Sequence, residues 1–453
     1  MDLNKFFKAK SIAIIGISKN PNKIGHLIFR NLVESNFQGN LFLVNPNAYQ
    51  VLNKKVYKNV NDIEQEIELA IITVPAKIVP GVIKDCGKKK IQNVVIITSG
   101  FRESGNEKLE DEVKLLLGKF KIKCIGVNAL GVYDAYSRLD SLFIPRYRMK
   151  RPKQGGISFI SQSASMGLAI IDLATTQSYG ISKFISYGNA TNIDESDILE
   201  YLGEDKETKI ICVYLQGIKD GQKFIKVAKK VSKLKPVIIV KGGINPEVEK
   251  TTFSHTGHLA GSYEVYLAAF KQSNLIYTDS LHEMFNFARI LEKTTPSKGN
   301  RIQIITNGGG YGISALDNII KNNLRIAELD KKTFSSLKKQ LHDLATINNL
   351  IDLSSNATSN DYKIAIESCL NDNNVDVLLL MILYQIPLID SSILDIITDF
   401  NNQKKKPIIV VSTGGEFTDD LRKSLEEKNV ITFNYPEEAV SSIKALVDYY
   451  SKK

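Results

Sequence analysis

Short runs of aliphatic and β-branched residues recur along this chain, each followed by a turn rich in glycine, proline or hydroxyl side chains and then by an amphipathic stretch. That rhythm constrains the fold more than any other feature, because strands alternating with helices assemble as parallel sheets with helical crossovers. A first series occupies residues 12–15, 41–44, 69–74, 94–98 and 123–127. The basic stretch 145–156, with its prolines and glycines, reads as a connector into a second series at 157–160, 181–186, 210–215 and 236–241. Residues 293–300 contain Pro296 and Gly299 and read as a linker to a third series at 302–306, 375–383, 407–412 and 430–433. The pattern predicts an α/β protein of three doubly wound parallel-sheet units, partitioned at residues 1–130, 131–292 and 300–453. Its 453 residues exceed one ordinary core and suit about three domains.

In such sheets ligands sit beyond the carboxy-terminal ends of the strands, so the turns there carry the functional information. The first strand runs into Gly16-Ile17-Ser18-Lys19-Asn20-Pro21-Asn22-Lys23-Ile24-Gly25 and then into a helix at 26–32. Nine positions separate the two glycines and two lysines lie between them, so the Gly-x-Gly-x-x-Gly dinucleotide fingerprint is missing. This disfavours a nicotinamide oxidoreductase and leaves two readings, a longer phosphate-bearing ligand or a plain strand-to-helix loop. In the second series Ser161-Gln162-Ser163-Ala164 leads into a helix at 168–175. The amides of that helix start form either an anion site or a terminus capped by Ser161 or Ser163. The third series opens with Thr306-Asn307-Gly308-Gly309-Gly310-Tyr311-Gly312, a glycine loop without the lysine and hydroxyl of a Walker motif.

The segment Thr252-Phe253-Ser254-His255-Thr256-Gly257-His258-Leu259-Ala260-Gly261-Ser262 sets a histidine among small and hydroxylated residues. A neutral imidazole is a competent nucleophile near pH 7, and the glycines let the backbone approach an anion. A histidine in an ordinary turn is the alternative. His258 reads as a solvent-facing loop residue, since no third ligand follows at metal-site spacing; His26, His282 and His342 fall in helical contexts as surface or core residues. The net charge of +10, from 59 basic and 49 acidic residues, is spread along the chain and forms no basic stripe, which argues against nucleic acid and is compatible with a polyanionic small ligand. Four scattered cysteines lack disulfide or zinc spacing and fit a reducing cytosol. No signal peptide or membrane span is expected.

The histidine segment resembles the active-site signature of the ADP-forming acyl-CoA synthetases, relatives of succinyl-CoA synthetase, in which the equivalent histidine is transiently phosphorylated. Further stretches match that family in order and spacing: Val44-Asn45-Pro46, Thr73-Val74-Pro75-Ala76, Thr98-Ser99-Gly100-Phe101 and Gly126-Val127-Asn128-Ala129-Leu130-Gly131 in the first unit, then residues 187–202, Tyr214-Leu215-Gln216-Gly217 and Tyr435-Pro436-Glu437-Glu438. The resemblance spans residues 11–446. It implies a Rossmann-like CoA-binding domain followed by two flavodoxin-like ligase domains. It assigns coenzyme A to Gly16, Ser18, Lys19, Asn20, Lys23, Ile24, Gly25, Asn45, Pro46, Val74, Pro75, Ser99, Gly100 and Asn128. Phosphate falls to Ser161, Gln162, Ser163, Ala164 and Gly257, and the nucleophile is His255. Family members generally have glutamate where this chain has Gln216; that carboxylate supports the histidine, and another acid, such as Asp194, could substitute for it.

The implied activity is that of an α subunit interconverting acyl-CoA, ADP and phosphate with carboxylate, CoA and ATP through acyl phosphate and a phosphohistidine. No ATP-grasp pattern is legible in this chain, so a β subunit carrying the ATP or ADP with Mg²⁺ is implied, in an α₂β₂ assembly, with no metal site here. The rival is a CoA-binding regulatory homologue with impaired turnover, for which Gln216 is the best argument. A cytoplasmic location is expected.

Overall fold

The computed structural model describes residues 2–176, 179–245 and 262–452. Residues 246–261, with His255, Gly257 and His258, lie outside them. The chain divides into two compact units, Met1–Leu281 and His282–Lys453. The first holds two sheets and the second holds one, all mostly parallel.

The first sheet is built from Ser11–Ile15 (β1), Asn40–Val44 (β2), Gln50–Val51 (β3), Lys54–Tyr57 (β4), Leu69–Ile72 (β5), Asn93–Ile96 (β6) and Lys123–Gly126 (β7), in the order β3-β4-β2-β1-β5-β6-β7. The order reverses between β1 and β5, which opens a crevice beyond their carboxy-terminal ends. Strands β5, β6 and β7 stop short of the predicted 74, 98 and 127, because the residues just beyond them bend into site loops. Thr73 Oγ1, for example, turns back onto the Ile15 and Gly16 carbonyls, both at 3.2 Å. The β3–β4 hairpin was not expected from sequence; its turn residues Leu52 and Asn53 both take positive φ, 45° and 59°, as the primed hairpin turns require.

The second sheet comprises Gly131–Asp134 (β8), Leu139–Asp140 (β9), Gln154–Ser161 (β10), Ile181–Ser186 (β11), Ile210–Leu215 (β12), Val237–Lys241 (β13) and Ile276–Tyr277 (β14), ordered β14-β13-β12-β10-β11-β8-β9. Two expectations are corrected here. The end of the 145–156 connector is already strand β10, and the helix expected at 168–175 is Ala164–Thr176, so Ala164 stands in its first turn. Strands β8 and β9 were also unforeseen. β8 runs antiparallel to β11 and brings Asp134 opposite Lys183. There the buried ammonium lies 3.3 Å from Asp134, 2.9 Å from Asp205 and 2.6 Å from Glu207.

The alternation of a pleated strand sorts the first sheet's side chains into two cores. Ala13, Ile15, Ala70, Ile72, Val94, Ile96 and Cys124 pack on one face. Ile12, Ile14, Leu69, Ile71, Val95 and Ile125 face the other way, into a core shared with Ile160, Ile185, Ile211 and Val213 of the second sheet. The short helix Asn4–Phe7 plugs this shared core with Phe6 and Phe7, and the Phe7 ring stacks on Tyr201 at 5.1 Å.

The unit His282–Lys453 carries Arg301–Thr306 (β15), Arg325–Ile326 (β16), Thr346–Ile347 (β17), Ile351–Asp352 (β18), Val377–Met381 (β19), Ile408–Val411 (β20) and Ile431–Phe433 (β21) around its own core. The sheet order is β17-β18-β15-β19-β20-β21, with β16 on β15. Among the described residues no helix is long and apolar enough to cross a membrane.

Candidate active site

Five loops meet at the carboxy-terminal edge of the first sheet, and they hold the residues that the resemblance assigned to coenzyme A. Backbone and side-chain bonds lock each loop to its neighbour. Gly16 N–H donates to the Val44 carbonyl at 3.0 Å and Asn45 Nδ2 to the Ile17 carbonyl at 2.5 Å. Thr98 Oγ1 donates to Val74 C=O at 2.7 Å, and Asn128 N–H to Thr98 C=O at 2.9 Å. Pro46, Pro75 and Ser99 are exposed at the rim.

The loop from Gly16 to Gly25 is shaped for close approach. Gly16 has φ 103°, and a Cβ there would fall 2.7 Å from Thr73 Oγ1; a Cβ on Gly25 would fall 2.4 Å from the Gly16 carbonyl. Ser18 Oγ accepts the Asn20 N–H, and His26 Nδ1 lies 2.9 Å from the Ser18 carbonyl, to which it donates. The helix Ile24–Glu34 that follows has no side-chain cap at Lys23. An uncapped helix start with exposed Lys19 and Lys23 beside it fits the pyrophosphate of a CoA-like ligand.

The second sheet supplies another edge in the same compact unit. Its β10, β12 and β13 are neighbours, with Ser161 in register with Tyr214 and Leu215 in register with Lys241. Ser163 Oγ accepts the Met166 N–H at 3.3 Å, and Ser161 Oγ donates to the Ser163 carbonyl at 2.7 Å. The side chain of Gln162 reaches across to the next loop. Its Oε1 accepts the Gln216 and Gly217 N–H groups at 2.7 and 3.0 Å and fixes the loop after β12.

Gln216 itself is half-buried, and its side chain is hydrogen bonded to the Tyr214 phenol, whose titration burial pushes up. Gly242 makes this contact possible, since a Cβ there would meet Tyr214 Oη at 2.4 Å. Asp194 is committed elsewhere: it caps the helix Glu195–Glu204 by accepting from Ser196 and Asp197, and it pairs with Lys223 at 2.8 Å.

Three polar residues in this region escaped the sequence reading. Lys241 is 4% exposed; burial pushes it down to about 8, and its ammonium bonds the Gly242 carbonyl and sits 4.7 Å from the Tyr266 ring centroid. Asn189, 4% exposed, spans the two sheets' loops. Glu195 is 2% exposed, and its Oε1 has no hydrogen-bond partner among the described residues. Burial, reinforced by the neighbouring Asp194, pushes Glu195 up from 4.5 to about 7.

The folded state therefore holds the Glu195 proton more tightly than the unfolded state, and stability is lost as pH rises from the ordinary carboxylate range through about 7. Glu195→Gln is expected to match the parent in urea unfolding at pH 4.5 and to exceed it by about 1–3 kcal/mol at pH 8. An equal difference at both pH values would refute the assignment. Among the described residues no group of three or more His, Cys, Asp or Glu side chains could hold a metal ion.

Comparison with known proteins agrees with the motifs. Residues 10–134 match the family described as a CoA binding domain, and residues 154–291 match the succinyl-CoA ligase like flavodoxin domain. The α subunit of acetate-CoA ligase [ADP-forming] II from Pyrococcus furiosus is 37% identical, with 98% of this chain and 97% of the relative covered. The 4-hydroxybutyrate-CoA ligase [ADP-forming] of Nitrosopumilus maritimus is 32% identical over 97% of this chain but only 63% of its own length. Among solved structures, the dinucleotide-forming acetyl-coenzyme A synthetase 1 of Ca. Korarchaeum cryptofilum, in complex with phosphate and ADP, superposes with a TM-score of 0.93 at 32% identity, covering 99% of this chain and 97% of that one.

Proposed function

The chain belongs to the ADP-forming acetate-CoA ligase family, in which its full-length relatives are α subunits, and from that premise we propose that it interconverts acyl-CoA, ADP and phosphate with a carboxylate, CoA and ATP. The observation that carries this reading is the pairing of two loop edges in one compact unit, one fitted to a CoA-like ligand and the other to a phosphoryl group. The functional partition proposed is 1–130 for CoA, 131–292 for the phosphohistidine chemistry and 300–453 for the third domain.

In the acyl-transfer half, a phosphate oxygen attacks the thioester carbon, the C–S bond breaks, and the phosphate's proton leaves with the CoA thiol. The helix start at Ser163 and Ala164, with Gly257, holds the phosphate. His255 then takes the phosphoryl group from acyl phosphate, releasing the carboxylate, and passes it to ADP. Gln162 fixes the Gln216 loop on which the histidine's support depends. The Mg²⁺ nucleotide belongs to an ATP-grasp β subunit in an α₂β₂ assembly. Two observations support that partner: the relatives of matching length are named α subunits, and the Nitrosopumilus relative is a longer single chain. A cytoplasmic location fits four buried free thiols. The two relatives act on different acids, so the acyl group assigned here is a small carboxylate of the acetate or hydroxybutyrate kind.

The test is intact mass after incubating the chain with its ATP-grasp partner, MgATP and acetate. An acid-labile phosphate on this chain is the expected result. Its absence, in a complex that binds both ATP and CoA, would favour the regulatory reading that Gln216 suggests. Gln216→Glu is expected to speed phosphohistidine formation about tenfold, the difference between neutral and charged hydrogen bonds to the imidazolium. Quench-flow labelling of the variant measures it, and an unchanged rate would show that support of the imidazolium comes from another group.

A further inference from the structure

The two loop edges are tied together through one buried amide. Asn189 follows β11, and its Nδ2 donates to Glu103 Oε2 at 2.6 Å and to Glu110 Oε2 at 2.9 Å. Glu103 in turn closes the first sheet's loop after β6, since its Oε1 accepts the Gly100 N–H at 2.6 Å and the Phe101 N–H at 3.1 Å. Glu110 Oε2 also accepts the Arg102 N–H. Asn189 Oδ1 accepts from Asn128 Nδ2 at 3.4 Å, and its N–H donates to the Val127 carbonyl at 3.0 Å, which secures the loop after β7. The carbonyls of Asn189 and Ala190 then accept the Lys219 ammonium, each at 2.8 Å. Lys219 stands three residues beyond Gln216.

We propose that Asn189 is a positioning residue for acyl transfer, setting the register between the Ser99–Gly100 loop that would carry acyl-CoA and the Gln216 loop beside the phosphate. The inference rests on the function proposed above. Thioester and phosphate must meet at about 3–3.5 Å, and a misplacement of about 1 Å costs on the order of 10²-fold in rate. One side chain that bonds two CoA-side loops while its backbone holds the ligase-side loop controls that distance. Neither edge alone does. The side-chain bonds of Asn189 all go to the CoA-side loops, whereas the Gln216 loop keeps the Gln162 bonds that set it, so loss of the Asn189 amide should fall on acyl transfer.

The experiment compares the parent and Asn189→Ala in the assembled complex, in two half-reactions. The first is formation of acetyl phosphate and CoA from acetyl-CoA and phosphate; the second is phosphorylation of the chain by MgATP. The expected result is a fall of about 10²-fold in kcat of the first, with KM for acetyl-CoA and phosphate within about twofold, and an unchanged second. A parallel fall of both halves, or a raised KM with kcat kept, would reduce Asn189 to a structural crosslink and overturn the proposal. If Asn189→Ala does not fold, Lys219→Met, which cuts the same tie at the Asn189 and Ala190 carbonyls, must give the selective loss. A parent inactive in both halves would instead sink the functional reading, and the positioning role with it.

Discussion

A chain carrying His255→Asn is expected to lose turnover by about 10⁴-fold or more while binding coenzyme A as the parent does. Asparagine is polar and of similar size but offers no nitrogen lone pair to a phosphoryl group, so the covalent route closes. Removing a nucleophile from a covalent mechanism costs on the order of 10⁴- to 10⁶-fold. Acetate-dependent ADP formation in the complex gives the rate, and calorimetric titration with CoA gives the binding. Retention of more than a tenth of the parent rate would mean that phosphate passes directly between acyl phosphate and ADP. Because the CoA loops lie on the first sheet, their affinity should be indifferent to residue 255.

Lys183→Met is expected to cost the Met1–Leu281 unit about 3–5 kcal/mol, the usual penalty for breaking a buried ionic cluster by removing one member. The ammonium is fully buried beside Asp134 and Asp205, with Glu207 at the edge; methionine would leave the buried Asp134 and Asp205 without their cation, while Glu207 keeps Lys8 at 3.0 Å. These neighbours hold Lys183 above its ordinary value, and Lys183 holds Asp205 and Glu207 below theirs. The lysine's contribution is thus present below its unfolded value and lost only at strongly alkaline pH, as pH rises through its folded value. The contribution of Asp205 and Glu207 is present near neutrality and lost as pH falls through their depressed values, whereas burial holds Asp134 above its ordinary value. Calorimetry should show a melting point lowered by about 10 °C at pH 7, with the deficit shrinking towards pH 4 as the orphaned acids protonate. A loss below about 1 kcal/mol at neutral pH would mean that water enters and rehydrates the cluster.

The long buried strands at the centre of each sheet were legible because each is a local event: an aliphatic run, then a residue that must turn. Thr73 and Thr98 mark the limit of such reading. Their β-branched side chains extend the apparent strand, yet their hydroxyls bond back to neighbouring carbonyls and end it. β8 was missed for the opposite reason. An aspartate in a short run looks like a surface loop until its partner Lys183, far along the chain, is known. Asn189 reads as an ordinary loop asparagine, since Glu103 lies 86 residues away. Asp194 caps a helix and pairs with Lys223, 29 residues further on, a partnership that its local sequence does not announce. Long-range electrostatics decides these positions, and pattern alone does not carry it.

The core shared by the first two sheets bears on how such a ligase must travel through its cycle. With Phe6 and Phe7 plugged into it and β8 stitched onto β11, the CoA edge and the ligase edge have no apolar seam along which to part. Separating them would expose a continuous hydrophobic face to water at every turnover. Under the function proposed above, the acyl group would therefore reach phosphate across a fixed gap, and the longer journey, from phosphohistidine to a nucleotide on another subunit, would have to be made by something other than a hinge between these sheets.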